Sequence, residues 1–452
     1  MADTVTCFKK SHHYAGVYFK KNKFHPEGLH ILWYVGVAIN NVVCLQVVED
    51  VFLDHGCIFQ SSEMRLFLVL RRPCFRWSVA YTFVFVVLMP FIGQDLPYSV
   101  YRSAKWTYVT MQEKALDGHN RALVEAEVYL RTLEMRSRSL VVEDGFVDLV
   151  VVVVTSRRVV GLRPLGYLTR TVAALSRAAV SSAWPTSKQL FICDVNAGPA
   201  PHIEADRLRK YFHVVVRFPK ANASAAILDP FEKEKQDYAF CLERALQLTS
   251  AYVLIVEDDA VAQDNLFHVL PHMLHIPMLA SGAHSWSHLK LYYPERWQGF
   301  SLDVRTALEL LALFSITYAI WIALLGAWWR ERRHRFWHAF AAGFLVVLLA
   351  LSVGRQHLIE LKQISGYLYS LAPDPACCSP AVLYNAKFAK LLVPYLLNEV
   401  QCSNGYPLDM ALKSFVNRLQ WPGFRVEPNL FRHIGLLSTM KGYSRYVEDF
   451  LM

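Results

Sequence analysis

A pair of apolar stretches in the second half of the chain constrains its fold more than any other feature. Residues 306–329 and 336–353 are each long enough to cross a hydrocarbon core, which takes about 17 to 25 residues. A shorter stretch, residues 77–92, contains Pro90 and needs its flanks to span. Hydrophobic residues make up 54% of the sequence, more than is usual for a soluble protein. We predict three membrane spans, against the alternative of a soluble protein with buried core helices.

Arginines set the expected orientation of these spans. The flanking arginines lie before the first stretch and in the turn between the other two: Arg65, Arg71, Arg72, Arg76, Arg330, Arg332, Arg333 and Arg335. Positive residues beside spans stay in the cytoplasm, so both clusters are predicted there. Residues 93–305 and everything after 354 then share the lumenal side. A cleaved signal peptide is disfavoured because the first stretch starts too far into the chain.

This topology divides the chain into six predicted parts. They are a cytoplasmic N-terminal extension (1–63), a membrane anchor (64–93), a lumenal helical stem (94–145), a first lumenal part (146–305), a transmembrane hairpin (306–353) and a second lumenal part (354–452). The formal net charge of +9 could suggest nucleic acid, but many arginines flank apolar runs. No zinc-type array or RNA-binding signature is present, so we predict no nucleic-acid partner.

Strands and helices alternate in the first lumenal part. The β-branched run 147–155 (VDLVVVVVT) is typical of a strand buried on both faces, and 188–195, 213–218 and 252–256 are further strands. Residues 165–182 and 231–249 are predicted helices. This order indicates an α/β fold with a mostly parallel sheet, in which ligands bind beyond the carboxyl ends of the strands.

Three carboxylates, Glu257, Asp258 and Asp259, follow the last of these strands. Buried carboxylates need neutralisation, and Mg²⁺ or Mn²⁺ is held by one or two carboxylates together with substrate phosphate oxygens. The triplet therefore suits a metal-bound diphosphate. The alternative is a solvated acidic turn, or a helix cap at Asp259.

Cysteines and a sequon agree with a lumenal location. Disulfides persist in that compartment, and its five predicted cysteines are Cys193, Cys241, Cys377, Cys378 and Cys402. We favour pairing of Cys193 with Cys241, although sequence alone leaves the pairing open. Asn222 begins an N-glycosylation sequon.

Seven blocks of sequence together resemble one family. They are FEKEKQDYAFCLE (231–243), YVLIVEDDAV (252–261), LKLYYPERWQ (289–298), VGRQHLIELKQIS (353–365), CCSPAVL (377–383), LDMAL (408–412) and VEPNLFRHIGLLS (426–438). Between residues 146 and 438 the chain resembles the post-GPI-attachment N-acetylgalactosaminyltransferases, which are three-span Golgi proteins that modify glycosylphosphatidylinositol (GPI) anchors.

That resemblance implies both a fold and a reaction. The fold is a GT-A-like glycosyltransferase domain with a Rossmann-like mixed sheet, interrupted by the transmembrane hairpin. The reaction moves GalNAc from UDP-GalNAc to a mannose of the GPI glycan, with Mn²⁺ or Mg²⁺ and with GPI-anchored proteins as acceptors. It also implies a multi-pass Golgi membrane protein with a lumenal catalytic domain.

The resemblance implies roles for particular residues as well. Glu257, Asp258 and Asp259 match the family's metal- and UDP-holding triplet, and the other implied donor-binding residues are Ser156, Glu234, Gln236, Cys378, Ser379 and Asp409. At Arg157 an acidic residue is expected, which puts the uridine contacts in doubt.

Inverting transfer needs a base, and Asp409 is our candidate; its alternative role is a first-turn helix charge. For the metal, Glu257 and Asp259 would be joined by His433, with Glu427 as a further candidate. Lys290 or Arg296 could neutralise a GPI phosphate. Two rival functions remain: another lumenal UDP-sugar transferase, such as a galactosyltransferase, and a non-catalytic GPI-binding membrane protein of the same fold.

Overall fold

The structure, a computed structural model, describes residues 73–102, 108–136, 147–160, 163–181, 187–198, 200–218, 229–276, 286–326 and 332–435. The chain divides into two compact units. One, the helical unit, comprises Met1–Ser103 and Phe300–Gly354; the other, the sheet unit, comprises Ala104–Gly299 and Arg355–Met452. The predicted N-terminal extension lies outside the described residues, as does Asn222.

The helical unit contains the apolar stretches. Its helices, numbered in chain order through both units, are α1 (Pro73–Thr82), a π-helical segment (Phe83–Leu88), α2 (Met89–Gly93), α8 (Val304–Gly326) and α9 (Arg332–Val353). Among the described residues, three segments are long and apolar enough to cross a membrane: Arg76–Gly93, Val304–Leu324 and Arg335–Val353. These segments indicate a membrane protein; the use of the first as an anchor, and the orientation, stay predictions.

Close contacts hold these helices together. The Trp77 indole N–H donates to His338 Nδ1 at 2.8 Å, and the Tyr81 hydroxyl donates to the Ala341 carbonyl at 2.8 Å. A Cβ at Gly343 would lie 2.9 Å from the ring of Phe314, so α8 and α9 approach at a position without a side chain.

The sheet unit is built around eight strands. Its helices are α3 (Tyr108–Arg136), α4 (Tyr167–Val180), α5 (Ile203–Leu208), α6 (Pro230–Leu246), α7 (Leu266–Leu274), α10 (Arg355–Glu360), α11 (Ala386–Asn398) and α12 (Leu408–Leu419). Its strands are β1 (Val147–Thr155), β2 (Val159–Val160), β3 (Arg163–Pro164), β4 (Lys188–Asp194), β5 (His213–Val216), β6 (Ser250–Glu257), β7 (Ala260–Ala262), β8 (His288–Lys290), β9 (Ser370–Pro373), β10 (Ala381–Asn385), β11 (Phe424–Glu427) and β12 (Phe431–His433).

The large sheet has the order β5-β4-β1-β6-β10-β8-β11-β9. The first four strands are parallel, as predicted, and run in register so that Thr155 lies beside Asp194 and Val154 beside Glu257. From β10 onward the sheet is mixed, because β10 pairs antiparallel with both β6 and β8. The prediction of an α/β fold is therefore confirmed, whereas the mixed half carries antiparallel pairs that the sequence pattern did not predict.

Alternate residues of β1 pack into two cores. Leu149, Val151 and Val153 belong to one buried cluster, and Val150 and Val152 belong to the other. Helices α4 and α7 contribute to the first cluster, and α6, α11 and α12 to the second. Because side chains of a strand alternate between faces, a continuous β-branched run fills both layers and fixes the strand register.

A disulfide joins the sheet to a covering helix. Cys193 of β4 and Cys241 of α6, both fully buried, form this bond across a sequence separation of 48 residues. Among the described cysteines, Cys377 and Cys378 form a second, vicinal disulfide, and Cys402 is a buried free thiol.

Replacing both Cys193 and Cys241 by Ala is expected to lower the free energy of unfolding by about 2 to 4 kcal/mol, because the unfolded chain regains the freedom of a long loop. The matched control is Cys402→Ala, which also removes a buried sulfur but breaks no cross-link. Thermal unfolding of the oxidised protein in detergent measures the effect. Equal melting temperatures for the double variant and the control would contradict it.

Candidate active site

Three carboxylates gather where β6 ends. Glu257 is the last residue of the strand and is partly exposed, and Asp258 and Asp259 lie in the turn that leads into β7. Asp259 is fully buried and Asp258 nearly so. Their burial excludes the alternative of a solvated acidic turn, and a strand follows Asp259 where a helix cap would require a helix.

His433 is brought to these carboxylates by a small second sheet. Strand β12 pairs antiparallel with β7, so that His433 lies opposite Ala260. Its Nε2 is 3.5 Å from Asp259 Oδ2, and the Ile434 N–H donates to the Asp259 carbonyl at 2.8 Å. Within the described residues, ligand atoms of Glu257, Asp259 and His433 lie within 4.8 Å of one another.

This donor set fits a divalent cation. Two carboxylates and one imidazole suit Mn²⁺, which accepts oxygen and nitrogen ligands. The backbone beside them is also shaped for the carboxylate: a Cβ at Gly435 would lie 1.9 Å from Asp259 Oδ2, so only glycine allows this approach. Glu427 is not part of the cluster, because its carboxylate pairs with Arg355 at 3.3 Å and with Arg425 at 2.6 Å.

Arg158 is a site residue that the sequence reasoning missed. Its guanidinium bridges Asp258 Oδ1 at 2.8 Å and Asp259 Oδ2 at 2.5 Å. Burial alone would lower the pKa of Arg158, but the charges of Asp258 and Asp259 raise it overall. Burial raises the pKa of Asp258 to about 6, although Arg158 opposes that change. Arg157, where the resemblance implied an acidic residue, does not line the cleft described below.

A buried hydrogen-bond chain orients Asp258 from its other side. The Ala205 N–H donates to His202 Nδ1 at 3.4 Å, so the ring proton is on Nε2. Nε2 then donates to Thr155 Oγ1 at 2.9 Å, and the Thr155 hydroxyl donates to Asp258 Oδ2 at 2.7 Å. This arrangement requires a neutral His202, and burial lowers its pKa from 6.5 to about 4.

His202 is expected to make the protein less stable in acid. The folded chain binds the imidazole proton less tightly than the unfolded chain, so the contribution is full above pH 6.5 and is lost as the pH falls towards 4. The loss amounts to about 3 kcal/mol. Melting temperatures at pH 7 and pH 4.5 measure it, with His202→Gln as the non-titrating comparison.

Glu204, whose pKa burial raises to about 7, titrates in both proteins and cancels in that comparison. The same fall in melting temperature for wild type and variant would contradict the assignment to His202.

Asp409 is held by the loop that carries the vicinal disulfide. It lies in the first turn of α12, and the Cys378 N–H donates to its Oδ2 at 2.8 Å. The Ser379 hydroxyl donates to its Oδ1. Each carboxylate oxygen therefore has one fixed donor and retains capacity for a further hydrogen bond.

The loop that carries Cys378 is itself fixed by Lys290. This buried ammonium donates to the carbonyls of Pro375 and Cys377, both at 2.9 Å, and pairs with Asp374 at 2.9 Å. The expectation that Lys290 binds a GPI phosphate is therefore wrong, because its donors are used inside the fold. Arg296, the other candidate, does line the cleft.

A cleft of about 560 Å³ contains most of these residues. Its lining includes Ser156, Glu234, Glu257, Cys378, Asp409 and His433. Gln236 is absent from the lining: its side chain bonds to Arg217 at 3.3 Å and to Glu232 at 2.9 Å. Successive helical positions are rotated by about 100°, so Glu234 and Gln236 cannot both face the same cleft.

The family model for the GPI-N-acetylgalactosamine transferase PGAP4 matches residues 149–432, more than half of the chain. The chain belongs to this family. The matched span contains the acidic triplet, Arg158, Cys378 and Asp409, and encloses the hairpin. The resemblance predicted from the sequence blocks is thus confirmed, and membership indicates glycosyltransferase activity.

Among solved structures, the chain is similar to the mannosyltransferase PcManGT from Pyrobaculum calidifontis in complex with GDP-Man and Mn²⁺. The two sequences are 13% identical, and the match covers 42% of this chain and 48% of that one, with a TM-score of 0.21. The match spans about half of each chain, and so low a TM-score adds nothing to the assignment.

Proposed function

We propose that this protein transfers GalNAc from UDP-GalNAc to a mannose of the GPI glycan, with inversion, in a reaction that depends on Mn²⁺ or Mg²⁺. The observation that carries the proposal is the cleft, whose lining includes Glu257, His433 and Asp409, together with the buried Asp259 that completes the cluster with Glu257 and His433. Membership of the PGAP4 family supplies the donor and the acceptor.

One group of residues would bind the metal and the nucleotide-sugar donor. A divalent cation, when bound by Glu257, Asp259 and His433, supplies positive charge to the diphosphate as UDP leaves. Glu234 would accept a hydrogen bond from the donor. Arg158 and the Thr155 hydroxyl keep Asp258 and Asp259 in place, so the carboxylates need not rearrange during the reaction.

Asp409 would act as the general base. The acceptor hydroxyl gives its proton to the carboxylate, its oxygen forms the new bond to C1 of the sugar, and the bond from C1 to the UDP oxygen breaks. The Cys378 N–H and Ser379 O–H donors hold the carboxylate at the angle this transfer requires. The alternative role of Asp409, a plain helix charge, does not need these two donors.

We also propose that the chain is a Golgi membrane protein with its catalytic domain in the lumen. Both expected arginine clusters would then lie in the cytoplasm. Enzymatic deglycosylation of the protein made in cells tests this orientation: a shift in apparent mass that is lost in Asn222→Gln supports it. A tag at the N-terminus should be accessible only from the cytoplasmic side.

The activity test is UDP release by the purified full chain with Mn²⁺, using UDP-GalNAc, UDP-Gal and UDP-GlcNAc, each with and without a GPI glycan. Acceptor-dependent release from UDP-GalNAc alone is expected, with product mass confirming the added sugar. Release from UDP-Gal alone would favour the hypothesis of a galactosyltransferase. No release from any donor by folded, metal-bound protein would favour the hypothesis of a non-catalytic GPI-binding protein.

A further inference from the structure

A compact apolar surface follows the hairpin in the sheet unit. Two 3₁₀ turns, Leu361–Ile364 and Gly366–Leu368, expose four large apolar side chains: Leu361 (58%), Ile364 (81%), Tyr367 (83%) and Leu368 (52%). We call these four residues the root patch. Single exposed apolar residues are ordinary, but four within eight consecutive residues form a surface that calls for a partner.

The turns are fixed to the unit beneath them, so the exposure of the root patch is built into the fold. The ring of Tyr367 meets His272 of α7 edge-on, with centroids 4.9 Å apart. The hydroxyl of the next tyrosine, Tyr369, accepts from Asn265 at 2.8 Å, and Lys362 Nζ donates to Ser370 Oγ at 3.0 Å. These contacts fix the turns to the unit while most of the surface of Ile364 and Tyr367, and about half of that of Leu361 and Leu368, stays exposed.

The sheet unit holds the two ends of the hairpin at one place. The buried Arg355 guanidinium donates to the Gln298 carbonyl at 3.0 Å, and a Cβ at Gly299 would lie 3.4 Å from Gln356 Nε2. The chain therefore leaves this unit at residue 299 and rejoins it at residue 355 from neighbouring positions. Residues of the sheet unit that are close to 299 and 355 along the chain are therefore connected to the hairpin by short segments.

Chain length keeps the root patch near that place. The six-residue helix α10 begins at Arg355 and ends at Glu360, directly before Leu361. At 1.5 Å per residue this helix spans about 9 Å, comparable to the polar layer of a bilayer leaflet, which is about 5 to 8 Å thick. Covalent connection thus limits how far the root patch can lie from the membrane that receives α9.

Aromatic residues lie on both sides of the hairpin root. Tyr367 follows the returning chain, and Trp297, 43% exposed, precedes the departing one and lines the cleft. Tyrosine and tryptophan are enriched at the boundary between lipid and water, since one end of each side chain is apolar and the other polar. Tyr367 and Trp297 are therefore residue types that suit the boundary between lipid and water.

We propose that the root patch inserts into the interfacial region of the bilayer, as a membrane contact in addition to the apolar helices. The occupant is the boundary between phospholipid headgroups and acyl chains, which accepts apolar side chains to a depth of about 5 to 10 Å. The contact rests on the membrane-spanning hairpin and not on the proposed transferase reaction.

The test uses the full chain in phosphatidylcholine nanodiscs that contain a phospholipid with a diazirine high on its acyl chain. After photolysis, mass spectrometry maps the lipid adducts. We expect adducts on the peptide with the root patch as well as on the spans. The matched control is α11, whose Leu391 and Leu397 are 46% and 40% exposed but lie far along the chain from the hairpin.

A double variant, Ile364→Asp with Tyr367→Asp, should lose the adducts at the root patch and keep those on the spans, which proves that the chain is still inserted. The control pair Leu391→Asp with Leu397→Asp should change nothing. Adducts confined to the spans would overturn the proposal. In that case, oxidation of Tyr367 by hydroxyl radicals would show that the root patch faces water, and protection of Tyr367 would show that residues 436–452 or a second copy cover it. Donor and acceptor are absent throughout, so failure of the proposed reaction leaves this result unaffected.

Discussion

Replacement of Asp409 by Asn is expected to slow sugar transfer by about 10²- to 10⁴-fold, the usual contribution of a general base. Asparagine has nearly the same shape and keeps an oxygen that can accept from the Cys378 N–H, but it cannot take the acceptor's proton. Binding of metal and UDP should not change, because Asp409 is not one of the proposed metal ligands Glu257, Asp259 and His433. Single-turnover transfer and calorimetric UDP binding measure the two effects separately.

Ser379→Ala provides the control for orientation. It removes the hydroxyl donor to Asp409 Oδ1 and leaves the carboxylate in place. We expect a loss of no more than about tenfold, since one supporting hydrogen bond is worth about 1 kcal/mol. If the Asn variant kept more than a tenth of the wild-type rate, or lost UDP binding with the rate, Asp409 would have a binding or structural role.

The parallel half of the sheet could be predicted because its signals are local. The run of β-branched residues in β1 identifies a strand buried on both faces, and the alternation with helices identifies a parallel arrangement. Strands β8, β9 and β11 have three or four residues each, too few for a periodic pattern. Their partners are up to 135 residues away, and those of β8 lie on the far side of the hairpin, so no local rule identifies the pairing.

The site was predictable in kind but not in every residue. The acidic triplet could be recognised because three carboxylates after a buried strand need a counter-charge. That counter-charge comes in part from Arg158, which follows β1 and is far from the triplet in sequence, so no local pattern identified the pairing. His433 belongs to a three-residue strand whose partner, β7, could not be identified from its own sequence.

Asp259→Asn is expected to abolish metal-dependent UDP binding and to reduce transfer by about 10³-fold or more, because the proposed cation, which would stabilise the leaving group, would lose a charged ligand. Asp259 is fully buried, and its Oδ2 contacts both Arg158 and His433. The fold should survive: Arg158 keeps its pair with Asp258, and repulsion between two adjacent buried carboxylates is removed. Electron paramagnetic resonance of free Mn²⁺, titrated in the presence of UDP, measures the loss, and thermal unfolding checks the fold.

Gly435→Ala tests whether metal binding depends on where the Asp259 carboxylate lies, because this variant displaces the carboxylate without removing it. The variant keeps every proposed ligand, but its Cβ would lie 1.9 Å from Asp259 Oδ2, so the carboxylate must move. Because metal binding depends on ligand geometry, we expect weaker Mn²⁺ binding that excess Mn²⁺ partly restores, whereas excess Mn²⁺ should not restore Asp259→Asn. Gly405→Ala is the matched control, since a Cβ there meets nothing within 4 Å. Unchanged Mn²⁺ affinity in both Asp259→Asn and Gly435→Ala would place the metal elsewhere, and the carboxylates with Arg158 would then form a structural ion pair.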